Sequence, residues 1–376
     1  MTSSFAVGPG LRRRTLLRAL LPALALGPLG SLAARAAPVV PIVDVHSHYG
    51  MIARPMRRSG LAEDMRAERV AIVVWALPSD LRWIRGGPTG VEQFREPEPG
   101  SLAPFFAEML GRMRAYVAES GLKTVLAAAD VDACIAGDAG VVLASEGADF
   151  LEGRIENLDP AYDAGLRHVQ LVHYIRNPVG DYQTTPPRHG GLSELGRRLV
   201  EACNAKGILV DLAHSPGPSL DQALAISTRP MIFSHGWVDR SEGSWGDPYG
   251  YLKRRLSLAH AKKIADRGGV IGLWGLGRSN PGPDRTPGQG QWTVGRGDIA
   301  AYARELAHLV DWIGADHVAL GTDIEGMGAS WAVNDYAHVR KVVEALQAMK
   351  LPASVIDKVA WANAARVLKE ALAARR

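Results

Sequence analysis

Short apolar runs alternate with longer amphipathic stretches along most of this chain. The runs are rich in β-branched residues, as strands buried on both faces require, and the stretches between them repeat apolar residues at helical spacing. The pattern predicts eight strands, at Val39–His48, Val70–Leu77, Gly140–Glu146, His168–His173, Ile208–His214, Pro230–His235, Gly269–Trp274 and His317–Asp323.

Helices are predicted between these strands. The clearest amphipathic patterns are Leu192–Lys206, Ser257–Asp266, Asp298–Ile313 and Asn334–Met349. Gly207, Gly268 and Gly314 follow three of them, where a left-handed residue ends a helix. Two further helices, Ala353–Lys358 and Trp361–Ala374, are expected to pack under or beside the strands.

Strand–helix alternation of this kind predicts a parallel sheet covered by helices, and eight units predict its closure into a TIM-type (β/α)8 barrel. Residues 37–376 are long enough to form one such domain. Two stretches stand out as long loops, Arg85–Gly100 and the Gly/Pro-rich Gly277–Gly297. Each is interpreted either as a wall or lid over an active site or as a plain surface loop.

The first 36 residues have the order of an export signal. Arg12-Arg13-Arg14 precedes an apolar, Ala/Leu-rich stretch, and Ala34-Arg35-Ala36 has the small-x-small pattern of a cleavage site. Arg13-Arg14-x-Leu-Leu resembles a twin-arginine signal, so the twin-arginine export machinery is an expected partner and the periplasm or the exterior the expected location. An uncleaved membrane anchor is the alternative, against which the prolines and the short apolar run argue.

The net charge of +4 belongs largely to this leader, which holds five arginines and no acid. Without it, 38 basic residues face 39 acidic residues, so the charge gives no reason to expect nucleic acid as a partner. Only Cys134 and Cys203 are present, and both are expected to be free packing residues, although a single bridge between them stays open.

Titratable residues end most of the predicted strands. In a barrel the carboxyl ends of the strands surround one mouth, so their side chains are expected to meet there. Strands two and seven carry no such residue. The others end in His46 and His48 (strand one), Glu146 (three), His173 (four), His214 (five), His235 (six) and Asp323 (eight).

His46 and His48 are two residues apart, so on a strand both imidazoles point to the same side and can hold one ion. Glu146 follows an apolar run, where a carboxylate is costly unless it binds a cation, and its two oxygens can bridge two metals. His214 and His235 are the matching imidazoles. The alternative for the histidines is a place in the core or on the surface without a metal, and the alternative for Glu146 is an exposed acid at a strand end. Asp211 is expected to have a supporting role inside the barrel.

Asp323 is expected beside a metal-bound water, whose pKa a divalent cation lowers to near 7. It would take the proton of this water and pass it to a leaving amine, or else cap the following helix. Motifs of serine hydrolases, P-loop enzymes, H-E-x-x-H peptidases and dinucleotide-binding proteins are absent from the sequence.

The chain resembles the membrane (renal-type) dipeptidase family, which are zinc peptidases of the amidohydrolase superfamily. The matching segments occur in order along nearly the whole chain after the leader. They are Asp44-Val45-His46, Ser145-Glu146-Gly147, Leu171-Val172-His173, Val210-Asp211-Leu212-Ala213-His214-Ser215, Ile232-Phe233-Ser234-His235, Gly268-Gly269-Val270-Ile271 and Gly321-Thr322-Asp323-Ile324-Glu325-Gly326.

This resemblance implies two zinc ions bridged by Glu146, one also held by His46 and His48 and the other by His214 and His235. His173 would contact a dipeptide-like substrate near the scissile carbonyl. Arg255 would hold the substrate carboxylate, and Arg254 is the alternative if the alignment slips by one residue. If neither arginine has a function, both belong to a solvated helix face. Association into a homodimer stays open.

One departure affects the chemistry. The family usually has H-x-D where this chain has His46-Ser47-His48, which removes one negative charge from the first metal site. Three hypotheses follow: a dipeptidase or a hydrolase of related small acylated amino acids; another activity on the same site, such as lactone, phosphoester or nuclease-type hydrolysis; and a binding protein with a degenerate site. The export signal and the near-neutral charge of the rest of the chain argue against a nuclease.

Overall fold

Eight parallel strands close into a barrel in the computed structural model, which describes residues 39–52, 60–87, 90–239, 251–275, 299–326 and 333–373. The strands are β1 (Ile42–Ser47), β2 (Val70–Pro78), β3 (Gly140–Glu146), β4 (Leu166–Gln170), β5 (Leu209–Asp211), β6 (Ile232–Gly236), β7 (Val270–Trp274) and β8 (Val318–Gly321). Their order around the sheet is β2-β1-β8-β7-β6-β5-β4-β3, and pairing between β2 and β3 closes it. The predicted (β/α)8 barrel is therefore confirmed.

Helices connect the strands along the outside. They are α1 (Leu61–Ala67), α2 (Leu102–Glu119), α3 (Ala128–Ala136), α4 (Leu158–Asp163), α5 (Glu194–Lys206), α6 (Gly217–Ile226), α7 (Leu258–Asp266), α8 (Ile299–Ile313), α9 (Tyr336–Ala348), α10 (Ala353–Asp357) and α11 (Asn363–Leu372). The four clearest predicted helices appear as α5, α7, α8 and α9.

Local capping explains several of these boundaries. The Ser193 and Ser257 hydroxyls accept the backbone N–H groups of Gly196 and His260 at the starts of α5 and α7, satisfying donors that a helix leaves unpaired. Gly207 ends α5 at a φ of 74°, as the sequence predicts.

Four strands end earlier than predicted. β1 ends at Ser47 instead of His48. β4 ends at Gln170 instead of His173, β5 at Asp211 instead of His214, and β8 at Gly321 instead of Asp323. His214 and Asp323 have φ values of 68° and 53°, which an extended strand cannot include. These candidate residues lie on short turns at the mouth of the barrel.

The last helix closes the opposite end. Ala364, Val367, Leu368 and Ala371 of α11 belong to one apolar cluster with residues at the starts of strands, including Leu209, Ile232 and Val270. This confirms that the C-terminal helix packs under the barrel. Because that end is filled, the carboxyl ends of the strands are left to form a site.

Other features bear on single predictions. Much of the stretch predicted as the loop Arg85–Gly100 is an antiparallel hairpin, Ile84–Gly87 with Gly90–Gln93. Cys134 and Cys203 are both free and buried, and burial raises the pKa of each thiol to about 12. Within the described ranges, no helix has the length and apolar character required to cross a bilayer. The leader and the stretch Gly277–Gly297 lie outside the described residues.

Candidate metal centre and adjoining pocket

Four imidazoles surround the carboxylate of Glu146 at the end of β3. The Nε2 atoms of His46, His48, His214 and His235 lie between 3.3 and 3.5 Å from one of its two oxygens. All five side chains are almost fully buried. The residues that the sequence singles out on four different strands or turns are therefore brought together.

The imidazoles form two pairs. Nε2 of His46 lies 3.2 Å from Nε2 of His48, and the same distance separates the Nε2 atoms of His214 and His235. Two nitrogens bound to one tetrahedral zinc ion, each at about 2.0–2.1 Å, lie roughly 3.3 Å apart. Each pair can form a three-residue metal site with Glu146, so the residues fit two cations on either side of a shared carboxylate.

Neighbouring groups hold the rings with Nε2 directed inward. His48 Nδ1 lies 2.7 Å from the carbonyl oxygen of Ala76, which only accepts, so Nδ1 carries a hydrogen and Nε2 is the nitrogen that faces the cluster. Such support beyond the ligands is typical of metal-binding histidines. His48, at the position where the family usually has aspartate, therefore stays a candidate ligand through Nε2.

Ser234 supports one ring from each pair. Its hydroxyl lies 3.2 Å from His46 Nδ1 and 2.9 Å from His235 Nδ1. A Cβ atom on Gly272 or Gly321 would lie within 2 Å of the Ser234 carbonyl oxygen, so the barrel interior at this level admits only glycine.

Asp211 also supports this region, as expected. One of its oxygens accepts the backbone N–H groups of Ala213 and Ser234, and the other lies 3.3 Å from His168 Nε2. The buried carboxylate of Asp211 thereby ties the end of β5 to β6, just below the ligands His214 and His235.

Charged and neutral groups lie close together in this buried cluster. Burial opposes the ionisation of Glu146, but the imidazoles of His173 and His48 outweigh it and hold its pKa well below the usual range. Burial, with His235 nearby, lowers the pKa of His46 to about 4, and burial lowers that of His214 strongly. Burial opposes the protonation of His48, but Glu146 and Asp323 outweigh it and raise the pKa of this ring well above its usual range. Binding of a metal ion would therefore displace a proton from His48.

Asp323 lies beside the His46–His48 pair. Its Oδ1 is 3.1 Å from His48 Nε2, and its Oδ2 accepts a hydrogen bond of 2.7 Å from Trp274 Nε1. The backbone of Asp323 has a positive φ and donates its N–H to the carbonyl of His46. Non-glycine residues are costly in that conformation, and such strain is concentrated at functional sites.

His173 is a fifth imidazole that faces the carboxylate of Glu146, and its ring lies 4.5 Å from that of His214 between centroids. Its Nε2 lies 3.2 Å from Glu146 Oε2, and its Nδ1 lies 2.7 Å from Asp80 Oδ1. The other oxygen of Asp80 accepts the backbone N–H of Tyr174, so this buried carboxylate fixes the orientation of the ring.

Of the two neighbouring arginines, Arg254, the alternative that the sequence analysis leaves open, lines the cavity. Arg254 ends a 3-10 turn, Tyr251–Arg254, and is 1 % exposed. Its guanidinium lies 3.2 Å from Tyr174 Oη, 3.2 Å from His235 Nε2 and 3.3 Å from Gln183 Oε1. Arg255 is not among the described residues that line the cavity, because adjacent positions of a tight turn point in different directions.

A cavity of about 170 Å³ opens on these groups. Apolar side chains form much of its remaining wall, with Ile84 and Val91 contributed by the hairpin. The first predicted loop thus supplies a wall of the site, as one of its two interpretations proposes. The lining residues are His48, Ile52, Pro78, Leu81, Ile84, Arg85, Gly86, Val91, Glu146, His173, Tyr174, His214, His235, Arg254, Trp274, Asp323 and Gly326.

Strands two and seven also contribute, although neither carries a recognisable motif. Asp80 lies two residues beyond β2, and Trp274 is the last residue of β7. Position at or just beyond the carboxyl end of a strand is the signal that could have identified both. The roles of Tyr174 and Gln183 depend on contacts with Arg254, for which the local sequence contains no pattern.

Comparison with known proteins points to one family. The family described as "Membrane dipeptidase (Peptidase family M19)" matches residues 108–376. An uncharacterised protein encoded in the pqqA 5′ region of Klebsiella pneumoniae is 26 % identical over 72 % of this chain and 97 % of its own length. Dipeptidase tcpJ of Claviceps purpurea is 26 % identical over 55 % of this chain and 45 % of its own length.

Solved structures share the fold. Dipeptidase AC, a metallopeptidase of family M19, has a TM-score of 0.70 at 20 % identity and covers 89 % of this chain and 99 % of its own. A metallopeptidase from Rhodobacter sphaeroides, liganded with a phosphinate mimic of the dipeptide L-Ala-D-Ala, has a TM-score of 0.70 at 20 % identity, over 89 % of this chain and all of its own.

Metal binding to this cluster is expected to stabilise the folded protein, because the unfolded chain does not hold the five ligands together. Zinc at a hundredfold excess over its Kd would add about 2.7 kcal/mol to the free energy of unfolding. Thermal melts of chelator-treated protein, with and without added zinc, measure this shift.

The shift is expected to be clearly smaller in the His214→Ala/His235→Ala double variant, which removes one of the two ligand pairs. The half-buried residue His308 on α8 lies outside the cluster and provides the control, since His308→Ala should leave the full shift. An unchanged melting temperature of the native protein on adding zinc or another divalent ion would contradict the assignment of these ligands.

Proposed function

Because this chain belongs to the membrane dipeptidase family (peptidase family M19), we propose that it hydrolyses the amide bond of a dipeptide or of a related small acylated amino acid. The observation that carries the proposal is the convergence of two imidazole pairs on Glu146, with Asp323 beside them in one cavity. This arrangement fits metal-dependent hydrolysis of a polar bond, and the arginine in the same cavity fits a substrate with a carboxylate.

We propose two zinc ions as the cofactor. His46, His48 and Glu146 would hold one, and His214, His235 and Glu146 the other. When bound, such a pair of ions polarises a carbonyl group and lowers the pKa of a bound water molecule to near 7. Imidazole nitrogens with a bridging carboxylate suit zinc, and Nε2 of His48, which faces the cluster, supports a histidine in place of the family's aspartate.

Asp323 is proposed to move the proton. Trp274 holds one carboxylate oxygen, while the other faces the His46–His48 pair, where the attacking water would lie. From that position Asp323 can accept the proton of the water and pass it to the leaving amine nitrogen, as a general base and then a general acid.

His173 and Arg254 are proposed to bind the substrate. Asp80 fixes the ring of His173, so Nε2 faces the cavity near the position expected for the scissile carbonyl. Arg254 is held by Tyr174 and Gln183 and presents its guanidinium inside the cavity, where it can form two parallel hydrogen bonds to a carboxylate.

We propose that residues 1–36 form a cleaved twin-arginine signal and that residues 37–376 act as a single domain in the periplasm or outside the cell. Support comes from the order of the arginines, the apolar stretch and the small residues in the sequence. Export of a protein that is already folded would allow the metals to be inserted before transport.

Replacement of Asp323 tests the proposed function. Asp323→Asn keeps the size and the acceptor for Trp274 but removes the base, so turnover of a hydrolysed dipeptide should fall by roughly 10²–10⁴-fold. The bound metal, measured by elemental analysis, should stay unchanged.

Asp335→Asn on α9 is the control, because Asp335 caps a helix on the outside of the barrel and should affect stability only. A native protein that turns over no dipeptide from a broad panel, while hydrolysing another ester, lactone or amide, would contradict the proposal. So would native turnover that survives in Asp323→Asn.

The two neighbouring arginines give a second test. Arg254→Ala should lower kcat/KM by about 10–100-fold, as expected when a charge-assisted pair worth roughly 1.5–3 kcal/mol is lost. Arg255→Ala should change it by less than about threefold, and steady-state kinetics on one dipeptide compare the two. A larger loss in Arg255→Ala than in Arg254→Ala would restore the residue that the sequence suggests.

A further inference from the structure

A second pocket, of about 540 Å³, adjoins the metal cavity. Val91, Tyr174 and Arg254 line both spaces, so the two meet at the guanidinium that is proposed to bind the substrate carboxylate. A substrate held by Arg254 therefore has room to extend into this second space, called here the outer pocket.

Basic side chains predominate in the lining of the outer pocket. Lys253, Arg254, Arg176 and Arg95 contribute four positive charges, against two negative charges from Glu92 and Glu96. Glu92 is bound by the guanidinium of Arg85 at 3.0 and 3.1 Å, which offsets its charge. The pocket thus favours an anionic group.

One wall of the outer pocket is anchored directly to the metal centre. Gln183 donates its backbone N–H to the carbonyl of His214 and its side-chain amide to the carbonyl of Arg255, and its side-chain oxygen lies 3.3 Å from Arg254 Nε. The flanking residues Tyr182 and Thr184 line the pocket. This wall is therefore positioned by the residues that build the active site.

The segment before Tyr182 is fixed as well. The carboxylate of Asp181 accepts the backbone N–H groups of Arg188, His189 and Gly191. Such a loop, closed on itself by a buried carboxylate, offers a preformed surface that a ligand need not order on binding.

We propose that the outer pocket binds a second carboxylate, carried on the side chain of the substrate's carboxyl-terminal residue. The preferred substrates are then dipeptides or acylated amino acids that end in glutamate or a similar acidic residue. Arg254 holds the α-carboxylate at the junction, and Arg176 with Lys253 attracts the side-chain carboxylate. This inference rests on the proposed function, because it assumes that Arg254 binds the substrate's carboxylate.

The test compares Ala-Glu with Ala-Gln, in both configurations of the second residue, since the two differ in charge but hardly in shape. Native enzyme should show a kcat/KM about fivefold or more higher for the glutamate substrate, a preference that falls as salt is added. In Arg176→Ala/Lys253→Ala the ratio should approach one, because kcat/KM should fall several-fold for the glutamate substrate and much less for the glutamine substrate.

Arg112→Ala/Lys263→Ala is the matched control, because it removes the same charge from α2 and α7, where both side chains are exposed and paired with acids. This variant should keep the native preference. Equal kcat/KM for the two substrates in native enzyme would overturn the outer pocket's role and leave the dipeptidase activity standing.

Binding of the free amino acids gives a readout that does not need turnover. Isothermal titration of the native enzyme should give a Kd for glutamate about fivefold or more below that for glutamine, and the difference should disappear in Arg176→Ala/Lys253→Ala. Equal affinities for glutamate and glutamine would overturn the inference, whether or not either dipeptide is hydrolysed. Failure to hydrolyse either dipeptide would count against the proposed function alone.

Discussion

The buried, ionised carboxylate of Glu146 is the constraint on which the rest of the site depends. A carboxylate removed from water is costly unless opposite charge and hydrogen bonds compensate it. Four imidazoles direct Nε2 at this group, but burial lowers the pKa of His46 and His214, so these two rings do not supply a positive charge. Cations between the nitrogens and the carboxylate would supply the charge that these rings lack.

The barrel supports that arrangement from below. Ala76 of β2 and Ser234 of β6 contact the rings of candidate ligands, and Asp211 of β5 accepts the backbone N–H groups of the residues that precede His214 and His235. The glycines at 272 and 321 let the strands approach the Ser234 carbonyl. Strained turns at His214 and Asp323 then aim side chains across the mouth, so the stable part of the molecule fixes the part that carries out chemistry.

Much of the fold and of the metal cluster could be predicted from sequence because both depend on local pattern. Apolar runs of strand length alternate with helical periodicity, and titratable residues such as His46 and Glu146 interrupt apolar runs where burial would otherwise exclude them. The strands predicted to end at His214 and Asp323 are shorter in the structure, because both residues have a positive φ. No sequence pattern indicates a positive φ at a residue other than glycine.

The substrate side was harder to predict. Arg254 and Arg255 are equivalent in sequence, and only the 3-10 turn decides which of them enters the cavity. Asp80 and Trp274 act through His173 and Asp323, which are 93 and 49 residues away along the chain. Such pairings arise from strand order around the barrel, so a pattern within one segment cannot show them.

The most direct test of this account is anomalous X-ray diffraction, at the zinc edge, from crystals of the zinc-loaded protein. The account predicts two peaks flanking the carboxylate of Glu146, one beside His46 and His48 and the other beside His214 and His235. No peak next to Glu146, or density for zinc only at some other place in the molecule, would contradict it.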